Sequence, residues 1–323
     1  MYREFYGLTQ KPFSILPDPH YLYWGHSHSL AYSMLEYGVM NRAGITVITG
    51  EIGCGKTTLI RHLLDRLDED FTIGLVSNIQ DGDLLQWVLM AFGQPYEGKS
   101  HVGLHDQLQQ FLIHEYAEGR RTILIVDEAQ NLGPKLLEQL RLLSNINADN
   151  DQLLQLILVG QPQLKELLRA PELIQFAQRI ASDFHLSPLS AEDIDAYIKH
   201  RLHIAGRDLP LFTMDACRRL FAASRGIPRL INILADTCLV YGFARMAPEI
   251  DAQIVDEVVR DKETHGIFGA SAPKGLEDAR RASQQAPAPG AHADESDEDG
   301  DSELIIRDKE LARQIFKKLR ANR

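Results

Sequence analysis

The segment Gly50–Thr58 reads GEIGCGKTT, and Gly50, Gly55, Lys56 and Thr57 stand in it at the spacing G-x-x-x-x-G-K-[ST]. Glycines so placed let a backbone turn its N–H groups inward around phosphate oxygens, with Glu51, Ile52, Gly53, Cys54 and Thr58 completing the loop. Lys56 brings a point charge to the β and γ oxygens, and the Thr57 hydroxyl is a ligand for Mg²⁺. Taken alone, the pattern also suits a Gly-rich turn that happens to hold a lysine. A second group, Asp127 and Glu128, lies in ILIVDEAQ. Four apolar residues deliver both acids to the end of a strand, where ligands sit in open α/β sheets. Asp127 is placed to hold Mg²⁺ through water, and Glu128 to orient or deprotonate an attacking water. Two acids at a strand end are ordinarily just solvated. Paired with a phosphate loop, they describe hydrolysis of a nucleoside triphosphate, ATP with Mg²⁺.

Three more residues extend the group. Gln161 closes an apolar run at GQP, where it emerges near the γ-phosphate or is an ordinary strand-end amide. Arg179 ends a helical stretch just before the next strand, a position from which an arginine reaches a neighbouring subunit's nucleotide. Arg169 and a plain surface ion pair are its rivals. Arg229 follows Pro228 in GIPRLIN, at the first turn of a helix, and points toward the nucleotide if the two halves of the chain fold together. Cys54 lies inside the loop, where its backbone rather than its thiol does the binding.

These groups need strands and helices in alternation. GITVITG, FTIGLVSN, RTILIVDEAQ, LLQLILVGQ and IASDFHLSPL read as five strands. Between them Thr57–Leu67, Asp81–Phe92, Leu104–Glu118, Pro134–Ile146 and Gln163–Arg179 read as helices, the last with a break at Pro171. Such alternation implies a parallel sheet flanked by helices, an α/β fold of the P-loop kind. Beyond Ser190 the strands stop, and Ala191–Ala205, Met214–Ser224, Pro228–Ala244 and Ala252–Lys262 form a small helical domain. The expected organisation is an aromatic and Pro-rich arm at 1–26, whose Phe13, Tyr21, Tyr23 and Trp24 need burial, then a nucleotide-binding domain at 27–189 and a helical lid at 190–269. A disordered acidic linker at 270–303 and a basic amphipathic helix at 304–323 follow.

The net charge is −11, and the stretch from Ala270 on holds 10 Lys+Arg against 11 Asp+Glu, so nearly all of it sits on the body. An acidic body without a Lys/Arg stripe argues against nucleic-acid binding. Three scattered cysteines make neither a disulfide framework nor a zinc site, and fit a reducing cytosol. No secretory signal or run of about 18 apolar residues is present, so a cytoplasmic protein, peripheral at most to the inner membrane, is expected. Leu304, Leu311, Ile315 and Leu319 share one face of the terminal helix with basic residues around it. Its target is a partner's groove or an anionic membrane, or else it folds back on the acidic residues of 294–303.

Phosphate loop, VDEAQ, a strand ending in VGQP, an Arg before the fifth strand and GIPRLIN together resemble an AAA+ ATPase. FYGLTQKPFSILPDPHYLYWG is similar to the N-terminal arm of the general secretion pathway protein A family, ATPases tied to type II secretion, MSHA-type pilus and exosortase-associated export. The resemblance runs from Met1 to about Lys262. It implies Gln161 as sensor one, Arg179 as arginine finger, Arg229 as sensor two, and a homo-oligomeric ring. Sensor one is more often Asn, Ser or Thr in the superfamily, so Gln161 departs from the pattern. Some relatives continue into a transmembrane helix and a peptidoglycan-binding part, and this chain shows neither, so it would act from the cytoplasmic side through a partner. The reading is an ATPase that powers or switches assembly of an envelope secretion, pilus or exopolysaccharide system. The alternatives are a DNA-associated regulator similar to transposition target-selection ATPases and a nucleotide-gated scaffold.

Overall fold

The computed structural model describes residues 1–77, 79, 83–148 and 151–265. The acidic linker at 270–303 and the basic helix at 304–323 lie outside the described residues. After a short helix α1 (Tyr2–Phe5) come α2 (His26–Met40), β1 (Ile45–Gly50), α3 (Lys56–Arg66), β2 (Phe71–Ser77), α4 (Leu84–Ala91), α5 (His101–Ala117) and β3 (Arg121–Asp127). Then follow α6 (Gly133–Leu143), β4 (Asn147–Ala148), β5 (Asp151–Gln152), β6 (Leu154–Gly160), α7 (Pro162–Leu168), α8 (Ile174–Ala177) and β7 (Ile180–Leu186). Helices α9 (Asp193–Ile204), α10 (Met214–Ser224), α11 (Pro228–Ala244) and α12 (Ala252–His265) complete the described chain.

Five strands form one parallel sheet in the order β2-β3-β6-β1-β7. The strand carrying the paired acids and the strand carrying the phosphate loop flank β6, which carries Gln161 at its end. Alternate residues of each strand feed two cores. Leu124, Val126, Leu156 and Leu158 pack toward α4 to α7, whereas Ile123, Ile125, Ile157 and Val159 pack toward α2 and α3. Both faces are covered, which is why these strands read as unbroken apolar runs rather than as alternation. A third core gathers α9 to α12 around Ile198, Leu220, Ile231 and Leu239.

The N-terminal arm belongs to that third core. Tyr6, Leu8 and Phe13 are buried among the C-terminal helices, and Phe13 meets Phe212 edge to face with ring centroids 5.7 Å apart. Trp24 departs from the expectation of burial. It stays 43% exposed and packs by its edge on Tyr32 and His62 at the surface of α2 and α3.

Two local details differ from the sequence reading. The stretch expected as one broken helix over Gln163–Arg179 is α7, a 3₁₀ turn at Pro171–Leu173 and α8. Pro171 has no N–H to continue the ladder, and it holds Ala170 in extended backbone (φ −60°, ψ 142°). Arg179 therefore sits in the turn after α8 rather than in a helix. The small antiparallel pair β4–β5 has no counterpart in that reading, since two-residue strands leave no periodicity to read.

Candidate functional site

The phosphate-type loop runs from the end of β1 into α3. Gly53 (φ 85°) and Gly55 (φ 97°) hold left-handed conformations, and Gly55 caps the N-terminus of α3. Side chains disfavour that backbone, so the loop needs glycine there to aim its amides. Gly53 has a second reason. A Cβ on it would come within 2.5 Å of the Arg229 Cβ, because the Arg229 N–H donates to the Gly53 carbonyl across 3.1 Å. The N-terminus of α11 is thus docked directly on the loop.

Lys56 folds over this loop, its Nζ donating to the carbonyls of Gly50 (2.8 Å) and Glu51 (3.1 Å). Burial pulls its pKa down, and the nearby Glu128, Asp127 and Glu51 oppose that shift. The Thr57 hydroxyl donates to Asp127 Oδ2 at 3.2 Å, joining α3 to the end of β3. Burial raises the Asp127 pKa, while the Glu128 N–H (2.9 Å to Oδ1), Thr57 and Lys56 draw it back. Thr57 and Asp127 offer adjacent hard oxygen donors, which is what Mg²⁺ takes from a protein that leaves its other positions to phosphate and water. These residues fit a magnesium nucleotide.

Glu128 leaves the strand in a left-handed conformation (φ 52°, ψ 37°) and starts a 3₁₀ turn at Ala129–Asn131. Its Oε2 accepts two amides, Gln130 Nε2 at 2.6 Å and Gln161 Nε2 at 3.0 Å. Gln130 Oε1 in turn accepts the Gln161 backbone N–H at 3.0 Å. Of the residues singled out in the sequence, Gly50 to Thr58, Asp127, Glu128, Gln161 and Arg229 are brought together here. Arg179 is not. It is exposed at the start of β7, whose opposite end lies beside Gly50. Seven residues of strand separate the two, roughly 20 Å.

The cleft has a second wall, built from the arm and from helices α9 and α11. Ser14 to Asp18 of the arm, Tyr21, Tyr197, Arg201 and Asn232 line it opposite the loop. Arg201 is 6% exposed and donates to the carbonyls of Pro12 (2.6 Å) and Ser14 (3.2 Å) while its guanidinium covers the Tyr21 ring at 4.5 Å. The Tyr197 hydroxyl donates to Asn232 Oδ1 at 2.8 Å, and Asn232 Nδ2 reaches the Ser14 carbonyl at 3.4 Å. From the other side, Arg61 of α3 donates to the Pro17 carbonyl at 3.0 Å. The arm is therefore strapped both to the lid helices and to the helix that starts at the loop. The arm residues fall in FYGLTQKPFSILPDPHYLYWG and Asn232 ends GIPRLIN, and a further sequence signal for this wall exists. On α9 the buried positions Ile194, Tyr197, Ile198, Arg201 and Leu202 form an apolar stripe with a charge set into it.

His28 of α2 is buried behind the loop, its Nε2 2.9 Å from the Cys54 carbonyl. A carbonyl needs a donor, so Nε2 carries the proton. Its Nδ1 has no protein partner among the described residues. Burial pushes the Cys54 thiol up to about 11, which leaves it protonated and unreactive at neutral pH.

A family model described as an AAA domain matches residues 39–168. General secretion pathway protein A of Aeromonas hydrophila is 44% identical over 253 residues, which are 77% of this chain and 46% of that protein, so the chain spans about half the length of that relative. Among solved structures, the Aeropyrum pernix ORC1 protein in complex with DNA aligns with a TM-score of 0.55 at 17% identity, over 79% of this chain and 71% of that one. Cdc6p of Pyrobaculum aerophilum aligns with a TM-score of 0.55 at 15% identity, over 83% and 72%. At such identities the two structures show the fold alone.

Proposed function

We propose that this chain, which belongs to the AAA+ ATPases related to general secretion pathway protein A, binds ATP with Mg²⁺ in the cleft and hydrolyses it to ADP and phosphate. The reading rests on one convergence, the Thr57 hydroxyl and Asp127 carboxylate 3.2 Å apart beside the Lys56 ammonium, with Glu128 following directly. Loop amides and Lys56 would hold the β and γ phosphates, and Thr57 and Asp127 would hold Mg²⁺. When bound, Mg²⁺ offsets negative charge on the phosphate oxygens. Glu128 orients a water toward the γ-phosphorus and takes its proton as the bond to the bridging oxygen breaks. Gln161 senses the terminal phosphate and Arg229 contributes from the lid.

In this reading residues 27–189 form the nucleotide-binding part and 190–269 the lid. Arg179, exposed at the end of β7 away from the loop, acts as a finger on a neighbour's nucleotide in a ring. No helix among the described residues is long and apolar enough to cross a membrane. The work driven is assembly or switching of an envelope export machine from the cytoplasmic face, the basic segment at 304–323 recruiting the ATPase to a partner. The relative's name supports that assignment.

Two variants test the chemistry. Lys56→Ala should weaken binding of a non-hydrolysable ATP analogue by roughly 100-fold or more, the loss of a largely desolvated charge contact. Glu128→Gln should keep binding within about threefold and slow turnover by roughly 100-fold or more, as expected for loss of a general base. Equal loss of binding in both variants would contradict the division of labour between Lys56 and Glu128.

A further inference from the structure

We infer that Gln130 is a positioning residue, tying the carboxylate of Glu128 to the backbone of the sensor strand so that the two move as one unit. The inference rests on the ATPase reading above and concerns a residue outside the loop, the paired acids and the sensors.

The hydrogen-bond pattern fixes which way the Gln130 amide faces. Its Oε1 meets the Gln161 backbone N–H, which can only donate, and its Nε2 meets the Glu128 carboxylate, which accepts when ionised. Turned over, the amide would set oxygen against carboxylate and N–H against N–H. One side chain thus spans the ends of β3 and β6 with both of its ends satisfied. The packing is close as well, since a Cβ on Gly160 would stand 2.9 Å from Gln130 Oε1.

The two amides on Glu128 are not equivalent. Gln130 is anchored at its far end to the Gln161 N–H, where β6 passes into α7, so its Nε2 is a fixed post. Gln161 holds the same carboxylate oxygen with a side-chain Nε2 at the end of a rotatable chain. When Gln161 turns to a terminal phosphate it leaves Glu128, and Gln130 alone keeps that oxygen in place with Oε1 of Glu128 available to water. A carboxylate freed from both amides would rotate about its own torsions. Misplacement of a catalytic group by about 1 Å costs on the order of 100-fold in rate, with little effect on binding.

Two substitutions test this in the full-length protein. Gln130→Met keeps length and volume and removes both hydrogen bonds. Gln130→Glu retains an acceptor for the Gln161 N–H but sets a carboxylate against Glu128. Both should lower kcat by roughly 10- to 100-fold, with KM for ATP and the dissociation constant of a non-hydrolysable analogue within about threefold of wild type. The midpoint of thermal unfolding of Gln130→Met should stay within a few degrees. A kcat within twofold of wild type in Gln130→Met overturns the inference, as does a loss of analogue binding as large as the loss of kcat. Wild-type turnover separates this failure from the other. A wild-type protein that neither binds nor hydrolyses ATP overturns the ATPase reading and this inference together, whereas a fully active Gln130→Met variant overturns the inference alone.

Discussion

The two walls of the cleft are built by opposite means. The loop wall comes from short contiguous segments, and each residue type there answers a local demand. Left-handed backbone asks for Gly53 and Gly55, Lys56 folds back on the carbonyls of Gly50 and Glu51, and Thr57 joins Asp127. The arm wall comes from residues far apart in the chain. Arg201 holds the Pro12 carbonyl across 189 positions, and Asn232 holds the Ser14 carbonyl across 218. The first wall needs the central strands β1, β6 and β3 together with α3. The second exists only once the C-terminal helices have closed on the N-terminus.

Gly53 is where the walls touch, and it offers the sharpest way to break the contrast. In Gly53→Ala the new methyl would occupy the space of the Arg229 Cβ on a left-handed backbone. The backbone conformation alone costs about 1–2 kcal/mol, and the overlap adds to it by pushing α11 from the loop. Nucleotide affinity should fall by roughly 100-fold, measured by titration with a fluorescent ATP analogue, at about 1.4 kcal/mol per tenfold. Binding within threefold of wild type would mean that loop and lid are not coupled through this contact.

Arg201→Met should have a smaller effect on binding and a clear one on stability. It keeps the stem packed beside Tyr21 but strips the Pro12 carbonyl of its donor and leaves the Ser14 carbonyl only the longer bond from Asn232. An unsatisfied buried group costs about 1–3 kcal/mol, so unfolding should come easier by about that much in denaturant titration. ATP affinity should fall by no more than about tenfold, because the phosphate contacts survive. If Arg201→Met instead left stability untouched and abolished binding, the two walls would have to exchange roles.

The same division explains what is legible without coordinates. The sheet, its order of helices and the loop-wall residues follow from runs of apolar residues and from motifs whose members lie within ten positions. Burial of Phe13 and Tyr21 follows from their type, but their partners do not. Trp24, by its type a candidate for burial, remains half outside, since a large ring can be served by its edge against Tyr32 and His62. Gln130 lies within VDEAQ, yet nothing in that segment shows that its far end meets the backbone of a strand some thirty residues on. Arg201 stands as a charge in an apolar stripe, a signal that something must satisfy it without saying what.

The smallest expected effect is a pH dependence, and it bears on His28, which backs the loop wall from α2. Burial lowers the pKa of His28, and it also lowers those of His62, His185 and His200. For His28 the Cys54 carbonyl and Asp193 pull the other way without winning. A group whose folded pKa lies below its unfolded value of about 6.5 binds its proton more readily in the unfolded chain. Stability from these imidazoles is therefore present above about pH 6.5 and is lost as pH falls below it toward their folded values. This window sits above the range in which carboxylates titrate, so it can be isolated by denaturant unfolding between about pH 7.5 and about 5.5. His28→Phe should flatten part of that slope, because it removes the imidazole that must otherwise charge without a partner at Nδ1. It also removes the donor to the Cys54 carbonyl, so some stability at the upper end of that range should be lost along with the slope. A slope unchanged by His28→Phe would move the titration to the other three histidines and leave the loop wall indifferent to pH. A slope that vanishes would place it at the one imidazole bonded directly to the loop.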